Sequence, residues 1–449
     1  MISVRSKHAA WRWLLVAGCA ATTPAQAMTL MEALQRSLEH DPAVAQSLAL
    51  YDAEREAGRQ ERAALLPSVT ATGRYLENDL KTESAFFGSF EERYESWGAG
   101  IEARQPLFRL DWFARGDRAL AQDQLAEAGL AQRKMELLTR IAERYFTVLV
   151  AQSTVEQAEA EAAAVRKSLG DTRKRYDVDL VPGTDLKEAQ ARDDLAQAQR
   201  LIAERELEAA RDALHEITGS GDSALPALQG DAKFPPLTPA TVEAWVESTR
   251  KRNPGLLTAA EQLKVATADV RSRQSLAAPS LDAVGRYGRD DTSKSQIGQR
   301  ADQGQVGVEL TVPIYAGGIN ASLVREAKAR TRAADANLRR LTAEAERQTR
   351  QLFRQVQTGY TEIAAYEQVL ASAKAAQQAT GYGYDAGTRT ISDVLDAGSR
   401  TVEAQRNLSE ARYRLLLSLL QLKQVSGSLS EQDFVEVDRL LAASAAMSQ

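Results

Sequence analysis

The side chains that carry most enzyme chemistry are scarce in this 449-residue chain. It has one cysteine, Cys19, and three scattered histidines, His8, His40 and His215. An intrachain disulfide and a CxxC redox or zinc site are therefore excluded, and a histidine-rich metal site is disfavoured. There is no Walker motif, and no Ser/His/Asp or Cys/His set is available beyond the leader. The sequence predicts a protein that is not an enzyme and needs no cofactor.

Acidic residues in the last third of the chain are the clearest candidates for a polar site. Asp393 and Asp396 are three residues apart at the start of a predicted helix, so both lie on one face of it. Thr390 followed by Asp393 also fits a helix N-cap with a favourable charge in the first turn, and Thr184 with Asp185 repeats that arrangement. Capping explains Asp393 and Asp185 about as well as function does. It explains Asp396 less well.

The segments around these residues occur twice. Gly73-Arg74-Tyr75 reappears 212 residues later as Gly285-Arg286-Tyr287, and Tyr176-Asp177 reappears 208 residues later as Tyr384-Asp385. Self-similarity at so long a period indicates a duplicated structural unit. We expect four parts after a leader: a first repeat over residues 28–219, a linker over 220–239, a second repeat over 240–427 and a C-terminal segment over 428–449.

Residues 1–27 have the features of a secretory signal. A basic start and an apolar stretch precede Ala25-Gln26-Ala27, a small-residue cleavage site. We favour cleavage after Ala27. A rival cut lies before Cys19, where residues 16–19 fit a lipoprotein box whose cysteine becomes acylated, but that cut leaves a short apolar region. Either cut takes the chain out of the cytoplasm.

Charge and hydropathy narrow the choice of partners. The formal net charge is -5 and no basic block occurs, which argues against nucleic acid. Beyond the leader, no apolar run approaches the ~20 residues of a membrane-spanning helix. If the protein enters a bilayer, strands must take it there.

Alternating apolar and polar residues predict two strands in each repeat, over about 68–79 and 95–106 and over about 280–290 and 304–313. A tilted transmembrane strand needs about ten residues. Two hairpins cannot close a barrel, and lipid does not tolerate an open sheet edge. Several chains would therefore share one barrel of about eight, twelve or sixteen strands. A soluble antiparallel sandwich has the same alternation.

The two faces of these strands differ in character. In a barrel, the apolar faces would meet lipid, and the water-filled lumen would be lined by Arg74, Glu102, Arg104, Arg286 and Glu309. Aromatic side chains could form girdles at the bilayer interfaces, and they are Tyr75, Trp97, Phe108, Tyr287 and Tyr315. Each of these aromatic residues also fits ordinary packing.

Long helical hairpins are predicted over about 113–218 and 319–426. Residues 113–176 contain no proline, and a continuous helix of roughly 65 residues would be ~95 Å long. Apolar residues in these segments recur every three and four positions, as in coiled-coil packing. The turns fall at Pro182-Gly183 and at Gly387. On its own, this pattern is typical of an elongated soluble coiled coil.

Three separated motifs resemble the TolC family of outer membrane channels. They are YDAGTRTISDVLDA over residues 384–397, VPIYAGG over 312–318 and LSEQD over 429–433, in the family's order. The resemblance covers nearly the whole mature length. It implies a mainly α-helical protomer with a β-barrel part, in which a homotrimer shares a twelve-stranded barrel in the outer membrane lipid of a Gram-negative bacterium. An α-helical tunnel then crosses the periplasm.

The resemblance also implies roles for individual residues. Asp393 and Asp396 match carboxylates that narrow the periplasmic mouth of the tunnel, where three copies would bind cations. Tyr384, Arg389 and Asp185 match polar links that hold neighbouring coils closed. The hairpin turns match the surface that docks a periplasmic adaptor, formed here by Val178, Asp179, Leu180, Gly183, Gly387 and Thr388. Asp179 departs from the family's glycine, so the identity of the adaptor stays open.

The function that follows is a passive export duct, with energy supplied by an inner-membrane transporter of ABC or RND type through the adaptor. Type I protein secretion and multidrug efflux both fit as cargo routes. The alternative is a periplasmic coiled-coil adaptor, which also has long helical hairpins. Such adaptors usually have one hairpin between β-rich flanks, and the duplicated order of strands and helices argues against that.

Overall fold

The computed structural model describes residues 27–84, 88–219, 225–228, 232, 234–295 and 298–442. Cys19 and the rest of residues 1–26 lie outside these ranges, as do much of the 220–239 linker and the last seven residues.

One order of elements occurs twice in the described chain: two helices, two strands, then a long helix and its return helix. The first series is α1 (Leu30–His40), α2 (Pro42–Ala63), β1 (Ser68–Ser84), β2 (Gly88–Arg109), α3 (Asp111–Tyr176) and α4 (Gly183–Thr218). The second is α5 (Val242–Arg252), α6 (Pro254–Ser275), β3 (Ser280–Asp291), β4 (Arg300–Thr311), α7 (Ile319–Asp385) and α8 (Ile391–Val425). A last helix, α9 (Glu431–Ala442), follows. The protomer is thus mainly α-helical with four strands, as expected.

The same joint separates the first two helices of each series. Asp41 ends α1, and its carboxylate accepts a hydrogen bond from the N–H of Ala43 at 2.8 Å. Asn253 ends α5 and accepts one from the N–H of Leu256 at 3.0 Å. A proline follows each capping residue and begins the next helix, where its missing N–H costs nothing.

The long helices give the protomer its length. α3 has 66 residues and α7 has 67, so each extends about 100 Å. α4 and α8 fold back along them as antiparallel partners, while α2 packs on α3 and α6 packs on α7. α3 also packs against α8, which joins the two helical hairpins side by side. No described helix combines the length and the apolar character that a bilayer-spanning helix needs.

The main core lies where α1, α3, α4, α8 and α9 meet. Tyr145 and Phe146 of α3 stack edge to face, with ring centroids 6.1 Å apart. They pack with Leu214 of α4, Leu416 of α8 and Phe434 of α9, all of which are buried. Because α9 supplies part of this core, this last described helix packs against the middle of α3 and the later parts of α4 and α8.

The four strands form one antiparallel sheet in the order β1-β2-β3-β4. The first hairpin is longer than the sequence predicted, since pairing continues to Ser84 and Gly88 rather than ending near residues 79 and 95. Cross-strand polar contacts accompany the extra length, as between Asp79 and Arg93 at 3.1 Å. β1 and β4 are the edges of the sheet and have no further partner strand among the described residues.

The register gives the sheet two different faces. Directly opposed residues point to the same side, and Ala71 faces Ile101, Ile101 faces Tyr287 and Gly285 faces Val306. This side is apolar and exposed in the single chain: the exposed fraction is 55% for Ile101 and 95% for Val306. The opposite side carries ion pairs, including Arg74 with Asp290 at 2.5 Å. Near the helices the sheet therefore separates an apolar surface from a charged one, while toward its far end the apolar side also carries an ion pair, Arg289 with Asp302.

Candidate functional site

Two adjacent turns form the tip of the protomer, one between α3 and α4 and one between α7 and α8. Each contains a residue in the left-handed conformation, with φ of 58° at Asp179 and 73° at Gly387. The two positions are 208 residues apart, which is the spacing of the sequence repeat at this end. Glycine adopts this conformation freely, and aspartate is one of the few other residues that tolerate it.

The residues predicted to dock an adaptor lie on these turns. Val178 and Leu180 project from the first turn with exposed fractions of 62% and 72%. In the second turn, the Thr388 hydroxyl donates to the carbonyl of Gly383 at 3.0 Å. Gly183 begins α4, and a β-carbon there would lie 3.5 Å from the ring of Tyr176. Docking at this surface stays a prediction.

Asp393 takes part in a capping box at the start of α8. The Thr390 side-chain oxygen accepts from the N–H of Asp393 at 3.2 Å, and the Asp393 carboxylate accepts from the N–H of Thr390 at 2.9 Å. The Thr390 hydroxyl donates to the same carboxylate at 3.0 Å. These bonds favour the ionised form and lower the pKa of Asp393. The capping interpretation is confirmed at this residue.

Thr184 does not cap α4, so the capping interpretation is wrong there, although Asp185 does lie in the first turn of the helix as expected. α4 begins at Gly183, and Pro182 occupies the cap position without a side-chain bond. The Thr184 hydroxyl instead donates to the Asp185 carboxylate at 3.3 Å. Proline has no side-chain acceptor to cap the helix. Because Pro182 occupies the cap position, Thr184 lies inside the helix.

Asp396 forms an ion pair that the sequence did not predict. Its carboxylate lies 2.5 Å from the guanidinium of Arg192, which joins α8 to α4. Four residues earlier on each helix, the Ser392 hydroxyl donates to Glu188 at 2.7 Å. We name these two contacts the α4–α8 rungs. Polar residues four apart lie on one face of each helix, but no local spacing in the sequence indicates that these two faces meet.

Further up the helices, a third polar contact joins the hairpins. The Ser399 hydroxyl of α8 donates to the Glu161 carboxylate of α3 at 2.9 Å. Beside the rungs, Ile391 and Leu395 pack with Val165 in a small apolar cluster. The hairpins are thus held together near the tip by a few polar contacts around a narrow core.

Tyr384 and Arg389 are placed differently from one another. The guanidinium of Arg175 lies over the Tyr384 ring at 4.6 Å and 3.9 Å from Asp385, so the ends of α3 and α7 meet. Arg389 packs beside Gly383, where a β-carbon would lie 2.8 Å from its Cγ, and it has no ion-pair partner among the described residues. The described contacts within the chain do not join either residue to Asp185. Their link across neighbouring coils stays a prediction.

No group of three or more metal-ligating side chains is brought together in the part of the chain that the structure describes. The chemistry available at the tip is electrostatic: carboxylates, guanidinium groups and hydrogen bonds between helices.

Comparison with known proteins bears on both repeats. A family model described as outer membrane efflux protein matches residues 33–220 and 245–428. The chain is 35% identical over 416 residues to the outer membrane protein TolC of Vibrio cholerae, covering 92% of this chain and 93% of that protein. It is 29% identical over 415 residues to the alkaline protease secretion protein AprF of Pseudomonas aeruginosa, covering 91% and 86%.

Solved structures share the fold at lower identity. The outer membrane protein VceC of Vibrio cholerae superposes with a TM-score of 0.73 at 20% identity, covering 89% of this chain and 96% of that one. The CmeC outer membrane channel of Campylobacter jejuni gives a TM-score of 0.76 at 13% identity, covering 95% and 94%. Paired strands with long helical hairpins are therefore the architecture of known outer membrane channels.

Proposed function

Because this chain belongs to the outer membrane efflux protein family, we propose that it is the outer membrane exit duct of a tripartite export system. The observation that carries this proposal is the match to both repeats, with 35% identity to an outer membrane protein over 92% of the chain. The similar proteins reported above are named as outer membrane proteins, secretion proteins or channels, and none of those names is that of an enzyme. The duct is passive, and it extends from the outer membrane into the periplasm.

Three copies of the chain share one barrel. Support comes from the sheet, whose edge strands β1 and β4 lack a partner among the described residues. An open edge is not tolerated in lipid, so neighbouring copies must pair β1 with β4. Each chain supplies the four strands of its sheet, and the trimer therefore has twelve.

The tips of the helical hairpins form the gate. Asp393 and Asp396 from three copies make a like-charge constriction, and Arg389 and Tyr384 of one coil bind Asp185 of the neighbouring coil in the closed state. The exposure of Arg389 and its lack of an ion pair among the described residues leave it available for that contact. The α4–α8 rungs keep the two hairpins of each copy together while the gate is closed.

A periplasmic adaptor docks on the tip turns. Val178 and Leu180 are exposed apolar side chains on a turn that the described residues do not cover. Their closeness on one turn offers a small apolar contact surface, and we propose that the adaptor covers it. The inner-membrane transporter acts through this adaptor.

Protein cargo is the route that we favour. AprF of Pseudomonas aeruginosa and PrtF of Dickeya chrysanthemi are both named as protease secretion proteins, and this chain is 29% and 28% identical to them over more than nine tenths of its length. The transporter would then be of the ABC type. Multidrug efflux with an RND transporter is the second candidate, because TtgC of Pseudomonas putida is named as a probable efflux pump protein at 24% identity.

Detergent extraction and planar-bilayer recording test the proposal together. We expect heat-resistant trimers in the outer membrane fraction and a small closed-state conductance that trivalent cations block from the tip side. Replacing Asp393→Ala and Asp396→Ala should abolish the block, and Arg389→Ser should raise the closed-state conductance. A monomer that salt extracts from the membrane would instead favour the coiled-coil adaptor.

A further inference from the structure

Five charged residues form a compact network on the polar face of the sheet. We name it the lumen charge cluster: Glu102 and Arg104 of β2, Asp282 and Arg286 of β3 and Glu309 of β4. The Arg104 guanidinium lies 3.1 Å from Asp282 and 3.1 Å from Glu309. The Arg286 guanidinium lies 3.1 Å from Glu102 and 3.4 Å from Glu309. The two arginines thus share Glu309 and connect three strands.

The register places this cluster opposite the apolar face. Glu102 faces Arg286, and Asp282 faces Glu309, so all of these side chains point to the same side of the sheet. Ile101 lies one position from Glu102 and points to the other side, with the apolar surface. When that apolar surface meets hydrocarbon, the cluster meets the water inside the barrel.

Charge in the cluster is nearly balanced. Two guanidinium groups stand against three carboxylates, which leaves a formal charge of -1 per chain. Further along the same face, Arg74 pairs with Asp290 and adds no net charge. Without Arg104 and Arg286, the three carboxylates of the cluster would remain on the lumen wall of each chain without a guanidinium partner in the cluster.

We infer that Arg104 and Arg286 are specificity-determining residues that keep the barrel end of the duct only weakly cation-selective. The inference rests on the proposed function, since it requires a lumen on the polar face. A wide barrel passes cargo of either charge only if its wall does not concentrate counter-ions. The two arginines limit the accumulation of counter-ions because each neutralises carboxylates on the adjacent strands.

The magnitude follows from Coulomb's law. A unit charge about 10 Å from a permeating ion in water changes the ion's local concentration by about twofold. Two arginines per chain contribute in three copies, so their loss should raise the cation-to-anion permeability ratio by at least about twofold at low salt. At 1 M salt, where the screening length is about 3 Å, the difference should nearly vanish.

Reversal potentials across a KCl gradient measure this property directly. The recordings should use Asp393→Ala/Asp396→Ala trimers, so that the tip carboxylates do not dominate selectivity. In that background we expect Arg104→Gln with Arg286→Gln to shift the reversal potential toward that of a cation-selective pore. The matched control is Arg289→Gln, three residues from Arg286 on β3, because Arg289 lies on the opposite face and pairs with Asp302 at 2.8 Å.

A second variant covers the case in which the arginine double variant does not assemble. Glu309→Gln removes one carboxylate and retains both guanidinium groups, so the cluster becomes neutral and cation selectivity should fall. Asp302→Asn, on the opposite face, is its control and should leave selectivity unchanged. Arg286→Lys keeps the positive charge and should also leave selectivity unchanged. This variant separates the effect of the charge from the effect of the contacts by which the guanidinium joins neighbouring strands.

The outcomes are distinct. A conducting trimer whose reversal potential does not respond to Glu309→Gln or to the arginine changes overturns this inference and leaves the duct standing. A response to Arg289→Gln equal to that of the cluster variants would overturn the assignment of the faces. A protein that forms neither trimers nor pores overturns the proposed function and this inference together.

Discussion

The guanidinium of Arg192 and the carboxylate of Asp396 lie 2.5 Å apart and join the return helices of the two hairpins. Both side chains are partly exposed, so the pair contributes only about 0–1 kcal/mol to the stability of the fold. Its position is more important than its strength, because it lies one turn inside the tip and includes Asp396, a residue of the predicted constriction. A weak contact at a gate can be broken without unfolding the helices on either side.

The first prediction concerns this pair. Arg192→Gln should raise the closed-state conductance, because α4 is then held to α8 by Ser392 and Glu188 without the ion pair. The expected change in trimer melting temperature is small. Arg200→Gln is the matched control, since Arg200 is on the same helix but pairs with Glu204 of that helix. Equal conductance in wild type and Arg192→Gln, measured in planar bilayers, would contradict the role of the rung.

The second prediction concerns pH. Bonds from Thr390 lower the pKa of Asp393, so the cap is fully formed above the carboxyl's usual pKa and is lost only as the pH falls through the lower folded-state value. Thr390→Val removes the hydroxyl and should raise that pKa. As the pH is lowered, the block by trivalent cations should therefore begin to weaken at a higher pH in the variant than in the wild type.

Thr388→Val provides the control for that experiment. The Thr388 hydroxyl donates to the carbonyl of Gly383 and not to a carboxylate. Its replacement should leave the pH midpoint of the block unchanged while altering the same turn to a similar degree. A shift of equal size in both variants would mean that the turn, and not the carboxylate, determines the block.

The difference between Asp393 and Asp396 shows which contacts a sequence can reveal. The Asp393 cap joins residues three apart, and local spacing predicted it. Arg192 and Asp396 are separated by 204 residues, and only the packing of two helical hairpins brings them together. The same limit applied to Asp185, because the start of α4 depends on how the turn before it folds around Pro182.

The lengths of the strands were also only partly predictable from the sequence. Alternation of apolar and polar residues located the strands where one side is apolar, as at Ile101 and Val306. Beyond Tyr75 the first hairpin continues with polar side chains on both faces, and pairs such as Asp79 with Arg93 accompany it. A period-two hydrophobic pattern does not detect such pairs, so the predicted strands were too short.

The third prediction concerns the tip turns. Gly387 has a φ of 73°, so Gly387→Ala should cost about 1–2 kcal/mol per chain, although no atom would contact the new β-carbon. Gly381→Ala is the control: this glycine is inside α7 with open space around it, and the change should gain up to about 1 kcal/mol. The measurement is the temperature at which trimers dissociate in detergent. A loss of similar size in both variants would contradict the backbone explanation.

The fourth prediction concerns the leader. The side chain of Met28, the residue after the favoured cut, is 2% exposed, and its carbonyl accepts a hydrogen bond from the buried Tyr145 hydroxyl at 2.9 Å. The N–H groups of Leu30 and Met31 bond to Asp438 of α9 at 2.7 and 2.9 Å. The chain is therefore packed in the core from Met28 onward, and we predict cleavage directly before this residue.

Cys19→Ser should accordingly leave processing and trimer yield unchanged, with no palmitate incorporated into the wild-type protein. Ala27→Leu, which replaces the small residue at the proposed cleavage site, should accumulate precursor. N-terminal sequencing of the mature chain should begin at Met28. Palmitate labelling that Cys19→Ser abolishes would instead establish the lipoprotein cut, and the buried Met28 would then follow a nine-residue tether from Cys19.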